Sequence, residues 1–144
     1  MRNYYHQIYE YIEKLTQIMV LEDKKGMEAG GEFFQLLDLF FMSMLDHENG
    51  ISIRNMVIKT GLKRNEVVAT VKKLTEKGLL HKKMDPFDHR TKVLMLTEEG
   101  ESLLQEFRSR EQDQLFSLLN DFTFNEEKAI LKFLVKMEMR YREK

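Results

Sequence analysis

The side chains in this sequence that could do chemistry are basic, and they are bunched. Between Arg54 and Lys92 stand roughly eleven Lys and Arg against four Asp and Glu, about +7, in a chain of 144 residues whose formal net charge is -1. Such a surface neutralises phosphates, so the chemistry on offer is the docking of a polyanion. Lys63, Arg64, Lys72 and Lys73 can pair with phosphate oxygens, and Arg64 or Asn65 can hydrogen-bond purine edges. Val68 and Ala69 can lie against thymine methyl groups, whereas Glu66 would repel phosphate unless it turns toward Lys63 or Lys73. Arg54 and Lys83 complete the basic set on either side. Other chemistries lack their residues. There is no cysteine, hence no disulfide or thiolate site. His6, His47, His81 and His89 are scattered without metal-ligand spacing, and Asp46-His47-Glu48 sits in a turn cluster without further ligands nearby. No phosphate-cradling glycine loop, nucleophile elbow or acid–base pair is present, so neither metal, cofactor nor catalysis is expected.

Three local patterns must position the basic residues. Val67, Val71 and Leu74 recur at helical spacing and face a core, which leaves Arg64, Asn65, Val68, Ala69, Lys72 and Lys73 on the outer arc of a helix over Lys63 to Lys77. Gly78 caps it in the left-handed conformation and Lys77 suits its dipole. Before it, Ile51 and Ile53 suit a short strand, Ser52 caps a helix of about eight residues that runs through Lys59, and Gly61 makes the tight turn. That is helix-turn-helix spacing, with the modest Val57 placed where the helices cross. After it, Leu80, Lys82 and Met84 run against Lys92, Leu94 and Leu96 as a hairpin. The joint is Asp85-Pro86-Phe87-Asp88-His89-Arg90, with the only proline at the second position of a type I turn and the Asp85 carboxylate capping it.

In that order and spacing, Leu74-x-x-x-Gly78-Leu79, the basic run and Asp88-x-Arg90-x-x-x-Leu94-x-Leu96-Thr97-x-x-Gly100 resemble the MarR family of bacterial regulators over about half the chain. The resemblance implies a winged helix-turn-helix on a homodimer that binds a pseudo-palindromic operator in double-stranded DNA. It also implies a repressor by family habit, often released by a small-molecule effector. The absence of cysteine removes the oxidation-sensing mechanism known in the family. Asp88 and Arg90 resemble the family's Asp-x-Arg pair, in which the carboxylate would hold the guanidinium at the hairpin tip, ready for a narrow A·T-rich minor groove. His89 stands where a second Arg is common, as a weaker, pH-dependent contact. The family often has small hydroxyl residues and an Arg on the recognition face, and here Glu66, Val68 and Ala69 replace that code.

The rest of the chain fits this plan by pattern. Tyr5, Ile8, Ile12, Leu15 and Met19 make one seam on a first helix ending at Lys24-Lys25-Gly26. A loop holding three of the seven glycines follows, and Phe33 opens a greasy second helix through Leu45 that reads as buried between layers. Where that helix meets the first and fifth, an effector pocket has adaptable lining, with plain core the simpler reading. Thr97-Glu98-Glu99 starts a long fifth helix, which carries Leu118 in its second apolar patch. Asn125 caps a last helix with the stripe Ile130, Phe133, Leu134, Met137 and Tyr141. These terminal seams need a partner, either a second copy or an intramolecular three-helix bundle.

The expected fold is mainly α, about six helices plus a small β-hairpin wing. Residues 1–144 form one domain, with 33–97 the winged helix-turn-helix part and 1–25 and 98–144 the dimerisation helices. No run spans a bilayer and no signal-peptide core is present, so the cytoplasm is the expected location. The rival functions are a winged-helix protein-interaction module, and a ligand or metal sensor with weak DNA specificity.

Overall fold

A computed structural model describes residues 3–48 and 50–143. The elements are α1 (Tyr5–Lys25), β1 (Met27–Ala29), β2 (Glu32–Phe34), α2 (Leu36–His47), α3 (Ile53–Thr60), α4 (Arg64–Glu76), β3 (Leu80–Met84), β4 (Lys92–Leu96), α5 (Glu98–Leu119) and α6 (Phe124–Arg142). The chain is mainly helical with a winged helix at its centre, as expected. It divides into two compact units, one up to Glu106 and one from Phe107 onward, so the division falls inside α5.

In the first unit the core forms where three short helices and the two strands of the wing each bury one face. Leu39, Phe41, Met42 and Leu45 come from α2, Met56 from α3, Val67, Val71 and Leu74 from α4, and Leu80 and Leu94 from the hairpin. The helix-turn-helix follows from its caps. The Ser52 hydroxyl accepts from the Asn55 amide to start α3, and Gly61 at φ 70° ends it. The wing pairs Leu80 with Leu96, Lys82 with Leu94 and Met84 with Lys92. Ile51 adds one antiparallel bridge to Leu94, so this hairpin has a single-residue third strand at the middle of β4. The wing's base is also tied to α5: the Thr97 hydroxyl donates to the Gly78 carbonyl at 2.7 Å and accepts from the Gly100 amide at 3.0 Å. Gly100 is buried, and a Cβ there would strike the Leu79 carbonyl oxygen.

Several local expectations are corrected. Phe33 does not open a helix. Met27–Ala29 and Glu32–Phe34 form a hairpin around Gly30-Gly31, both at positive φ (60° and 79°), the geometry that a two-residue turn demands. Strand alternation then buries Phe34 and leaves Phe33 62% exposed. Helix α2 starts only at Leu36, behind a reciprocal cap between Gln35 and Asp38. One side of α2, with Leu36 and Phe40, is exposed, so the helix is not covered all round. Ile53 opens α3 and is not in a strand, and the buried residue of α3 is Met56. Helix α6 is capped by Thr123 with Glu126, earlier than the expected Asn125 would allow.

Helix α1 has no buried residue, and neither does α6. On α1, Ile8 and Leu15 are exposed and Ile12 is half-buried. In the second unit Leu118, Phe133, Leu134 and Tyr141 are exposed, with Ile130 and Met137 half-buried.

Gly100→Ala should lower stability by about 1–3 kcal/mol, because the added methyl must push the Leu79 backbone away from the start of α5. Urea unfolding followed by circular dichroism should show a lower midpoint with an unchanged slope. An unchanged midpoint would refute the close approach.

Candidate nucleic-acid interface

With Val67, Thr70, Val71 and Leu74 turned inward, Arg64, Asn65, Val68, Ala69 and Lys72 occupy the exposed arc of α4, where the sequence places them. The Asn65 carbonyl oxygen accepts from the Glu66 amide at 3.1 Å, which leaves its NH₂ group able to donate outward. Glu66 is exposed in the first turn of the helix, and Lys63 caps it through its backbone alone. Lys73 behaves differently. Its Nζ lies 2.6 Å from Oδ2 of Asp38, a carboxylate only 2% exposed, which also accepts from the Gln35 amide at 2.8 Å. Position 73 lies on the flank of α4 that faces α2, and a buried carboxylate requires a partner. Lys73 is therefore engaged as the partner of a buried carboxylate, which distinguishes it from the exposed Lys72.

The wing tip is held by short polar contacts. The Asp85 amide donates to the Thr91 carbonyl at 2.9 Å, and the Asp85 carboxylate accepts from the Phe87 amide at 2.9 Å, the expected turn cap. Asp88 departs from expectation. Its carboxylate accepts from the backbone amide of Arg90 at 3.0 Å and from the Thr91 hydroxyl at 3.2 Å, and it makes no ion pair with the Arg90 guanidinium. An aspartate closes on the amide two residues ahead without ordering a long side chain, so the local bond wins. The guanidinium stays uncommitted among the described residues. His89 Nδ1 lies 3.2 Å from the Met84 sulfur.

Between the starts of α3 and α4 and the inner side of the wing lies a cleft of about 330 Å³ whose lining includes Arg54, Arg64, Lys82, Arg90 and Lys92 and no acidic residue. Arg54, Arg64 and Arg90 were legible as candidates. By sequence Lys82 and Lys92 are hairpin residues only, and the signal that finds them is strand register. Lys82 pairs with Leu94 and Lys83 with Val93, on alternate faces, so the cleft takes Lys82 while the expected Lys83 lies on the opposite face. On the residues expected to line an effector pocket, Leu39, Phe41 and Leu45 are core of the first unit. Among the described residues no three His, Asp or Glu gather as a metal site, and no helix is long and apolar enough to cross a membrane.

Residues 46–100 match the family model of winged helix DNA-binding domains. No curated protein sequence matches the chain. Among solved structures, FabT of Streptococcus pneumoniae in complex with DNA superposes with a TM-score of 0.81 at 14% identity, covering 96% of this chain and 98% of that one. A MarR/EmrR family transcriptional regulator from Acinetobacter sp. ADP1 gives 0.67 at 22% identity over 99% and 100% of the two chains. PcaV of Streptomyces coelicolor, a transcriptional regulator solved with its natural ligand, gives 0.63 at 21% identity over 96% of each chain. The family resemblance read from the sequence holds at the level of the fold.

Lys72→Ala and Lys73→Ala should separate the two kinds of lysine. Loss of Lys73 strands the Asp38 carboxylate and should cost about 1–3 kcal/mol of folding stability, while loss of the exposed Lys72 should stay within about 0.5 kcal/mol. Equal unfolding midpoints for the two variants would sink the structural role of Lys73.

Proposed function

We propose, from the premise that this chain is a winged-helix protein with the fold of the MarR-type regulators, that it is a homodimeric, sequence-specific DNA-binding regulator of transcription. The observation that carries the reading is the acid-free cleft with five cations at the junction of α3, α4 and the wing. A cleft of one sign concentrates phosphate, and this one lies beside the exposed arc of a helix that can enter a major groove. In this reading Arg54, Arg64, Lys82 and Lys92 grip the backbone. Arg64 and Asn65 read base edges at the start of α4, and Val68 and Ala69 pack on thymine methyls. The uncommitted guanidinium of Arg90 enters the flanking minor groove, with Asp88 shaping the turn that carries it.

Two copies would join through seams that are exposed or half-buried in the single chain, Ile8, Ile12 and Leu15 on α1 and Leu118, Ile130, Phe133, Leu134, Met137 and Tyr141 on the C-terminal helices. A fully covered apolar side chain contributes about 1.5–3 kcal/mol, so leaving so many in water disfavours a lone chain. Residues 33–97 would then serve DNA, and the terminal helices on either side of them would serve the dimer. Such a dimer presents two α4 helices to two half-sites, and repression by occupancy of a promoter is the simplest output. The regulation of DNA binding by 6-hydroxynicotinic acid in BpsR of Bordetella bronchiseptica, a protein of the same fold, supports a small-molecule effector that releases DNA. A chromosomal operator as partner implies action in the cytoplasm.

Two measurements test this. Light scattering at micromolar concentration should return twice the chain mass, and a stable monomer would remove the dimer and the paired half-sites with it. Titration of a duplex selected from a random pool should give a linear fall of log affinity with log salt. Arg54→Ala and Lys92→Ala should each reduce that slope by about 0.9. Unchanged slopes in both variants would show that the cleft does not hold phosphates.

A further inference from the structure

We propose that Phe87 at the wing tip is an apolar wedge that enters the minor groove and kinks the duplex at a base step, an inference that rests on the DNA-binding reading above. Phe87 is 98% exposed, the most exposed large hydrophobic side chain among the described residues, with Tyr4 and Tyr5 next at 73%. A phenyl ring in water is costly, and a loose tip would fold it back onto the hairpin. This tip is not loose. Pro86 restricts the backbone before the ring, the Phe87 amide is held by the Asp85 carboxylate, and the Asp85 amide reaches across the turn to Thr91. Both carboxylates of the tip are engaged by donors of the turn itself, Asp85 by the Phe87 amide and Asp88 by the Arg90 amide and the Thr91 hydroxyl. The backbone that carries the ring is thus held in place, so little backbone freedom remains to be lost when the ring inserts.

The chemistry of the surroundings selects the occupant. Arg90, on the same tip, lines the cationic cleft with Lys82 and Lys92, so whatever meets the ring has first met a phosphate-binding surface. A phenyl ring cannot read the hydrogen-bond pattern of a groove. It can instead unstack adjacent base pairs, as apolar wedges of minor-groove proteins do, and the site that yields most easily is a pyrimidine–purine step. The ligand is therefore a duplex with a TA or CA/TG step where each wing reaches the minor groove, and the specificity arises from deformability.

The test uses the full-length protein and a duplex selected by it, labelled at both ends with a fluorescent donor and acceptor and carrying 2-aminopurine at the flanking step. The parent should raise energy transfer and brighten 2-aminopurine. Phe87→Ala should lose both signals and bind about 5- to 100-fold more weakly, with its salt slope unchanged because no phosphate contact is removed, while Phe87→Trp retains both. Phe87→Ala that bends and unstacks the duplex like the parent would overturn the wedge, as would a parent that binds a straight duplex. A change in the mass of the free protein on Phe87→Ala would assign the ring to a protein contact and also overturn it. A parent with no salt-dependent DNA binding would fail the underlying reading itself, which is a separate outcome from binding without a bend.

Discussion

A buried carboxylate sets how the recognition helix is held. Asp38 sits in the first turn of α2, 2% exposed, where it closes the helix cap through the Gln35 amide and receives the Lys73 ammonium of α4 at 2.6 Å. An unpaired charge in that place would cost several kcal/mol, so α2 and α4 can approach only with this flank of α4 turned inward. The helical period then decides the rest. Fixing Lys73 and the apolar Val67, Val71 and Leu74 on the inner side puts Asn65, Ala69 and Lys72 on the outer one. The end of α4 has a second tie, since Lys77 lies 3.3 Å from the Glu32 carboxylate and 5.5 Å from the centre of the Phe34 ring. The small hairpin before α2 therefore holds the end of α4, a role that its short strands do not suggest.

The wing depends on the same economy of polar groups. Its root has no slack, because Thr97 satisfies the Gly78 carbonyl and the Gly100 amide at once, and its own amide donates to Leu79. Its tip has no slack either, because two aspartates commit their carboxylates to backbone and hydroxyl donors of the turn. What remains uncommitted between root and tip is cationic or apolar. Arg90, Lys82 and Lys92 face the cleft, and Phe87 faces solvent. A rigid carrier with free cations suits a polyanion of regular shape better than a flexible partner, because ordering costs are met during folding rather than binding.

Charge and grease are thus sorted along the chain. The basic stretch gathers positive charge, and the terminal helices α1 and α6 carry apolar seams in which no described residue is buried. Neither feature stabilises an isolated chain, since concentrated positive charge repels itself and exposed apolar surface orders water. On the proposed reading each would be relieved by a partner of a different kind, a polyanion for the first and a second apolar surface for the second.

The sequence by itself determined what depends on neighbours in the chain. The helix-turn-helix boundaries, the left-handed Gly61 and Gly78, the inward Val67, Val71 and Leu74, and the wing register all follow from period, capping and turn chemistry within a few residues. Tertiary structure decided what depends on a distant partner or on a choice between faces. Lys73 looked like its neighbour Lys72 until Asp38, thirty-five residues away, claimed it. Phe33 and Phe34 were equivalent until Gly30-Gly31 set a strand register that sent one outward and one into the core. Lys82 joined the cleft and Lys83 did not, because pairing with Leu94 rather than Val93 fixes the face. Asp88 kept to its local turn because a backbone donor two residues away costs less entropy to hold than a flexible guanidinium. Local rules specify which groups are available, but a charge or a ring finds its partner only when packing brings the surfaces together.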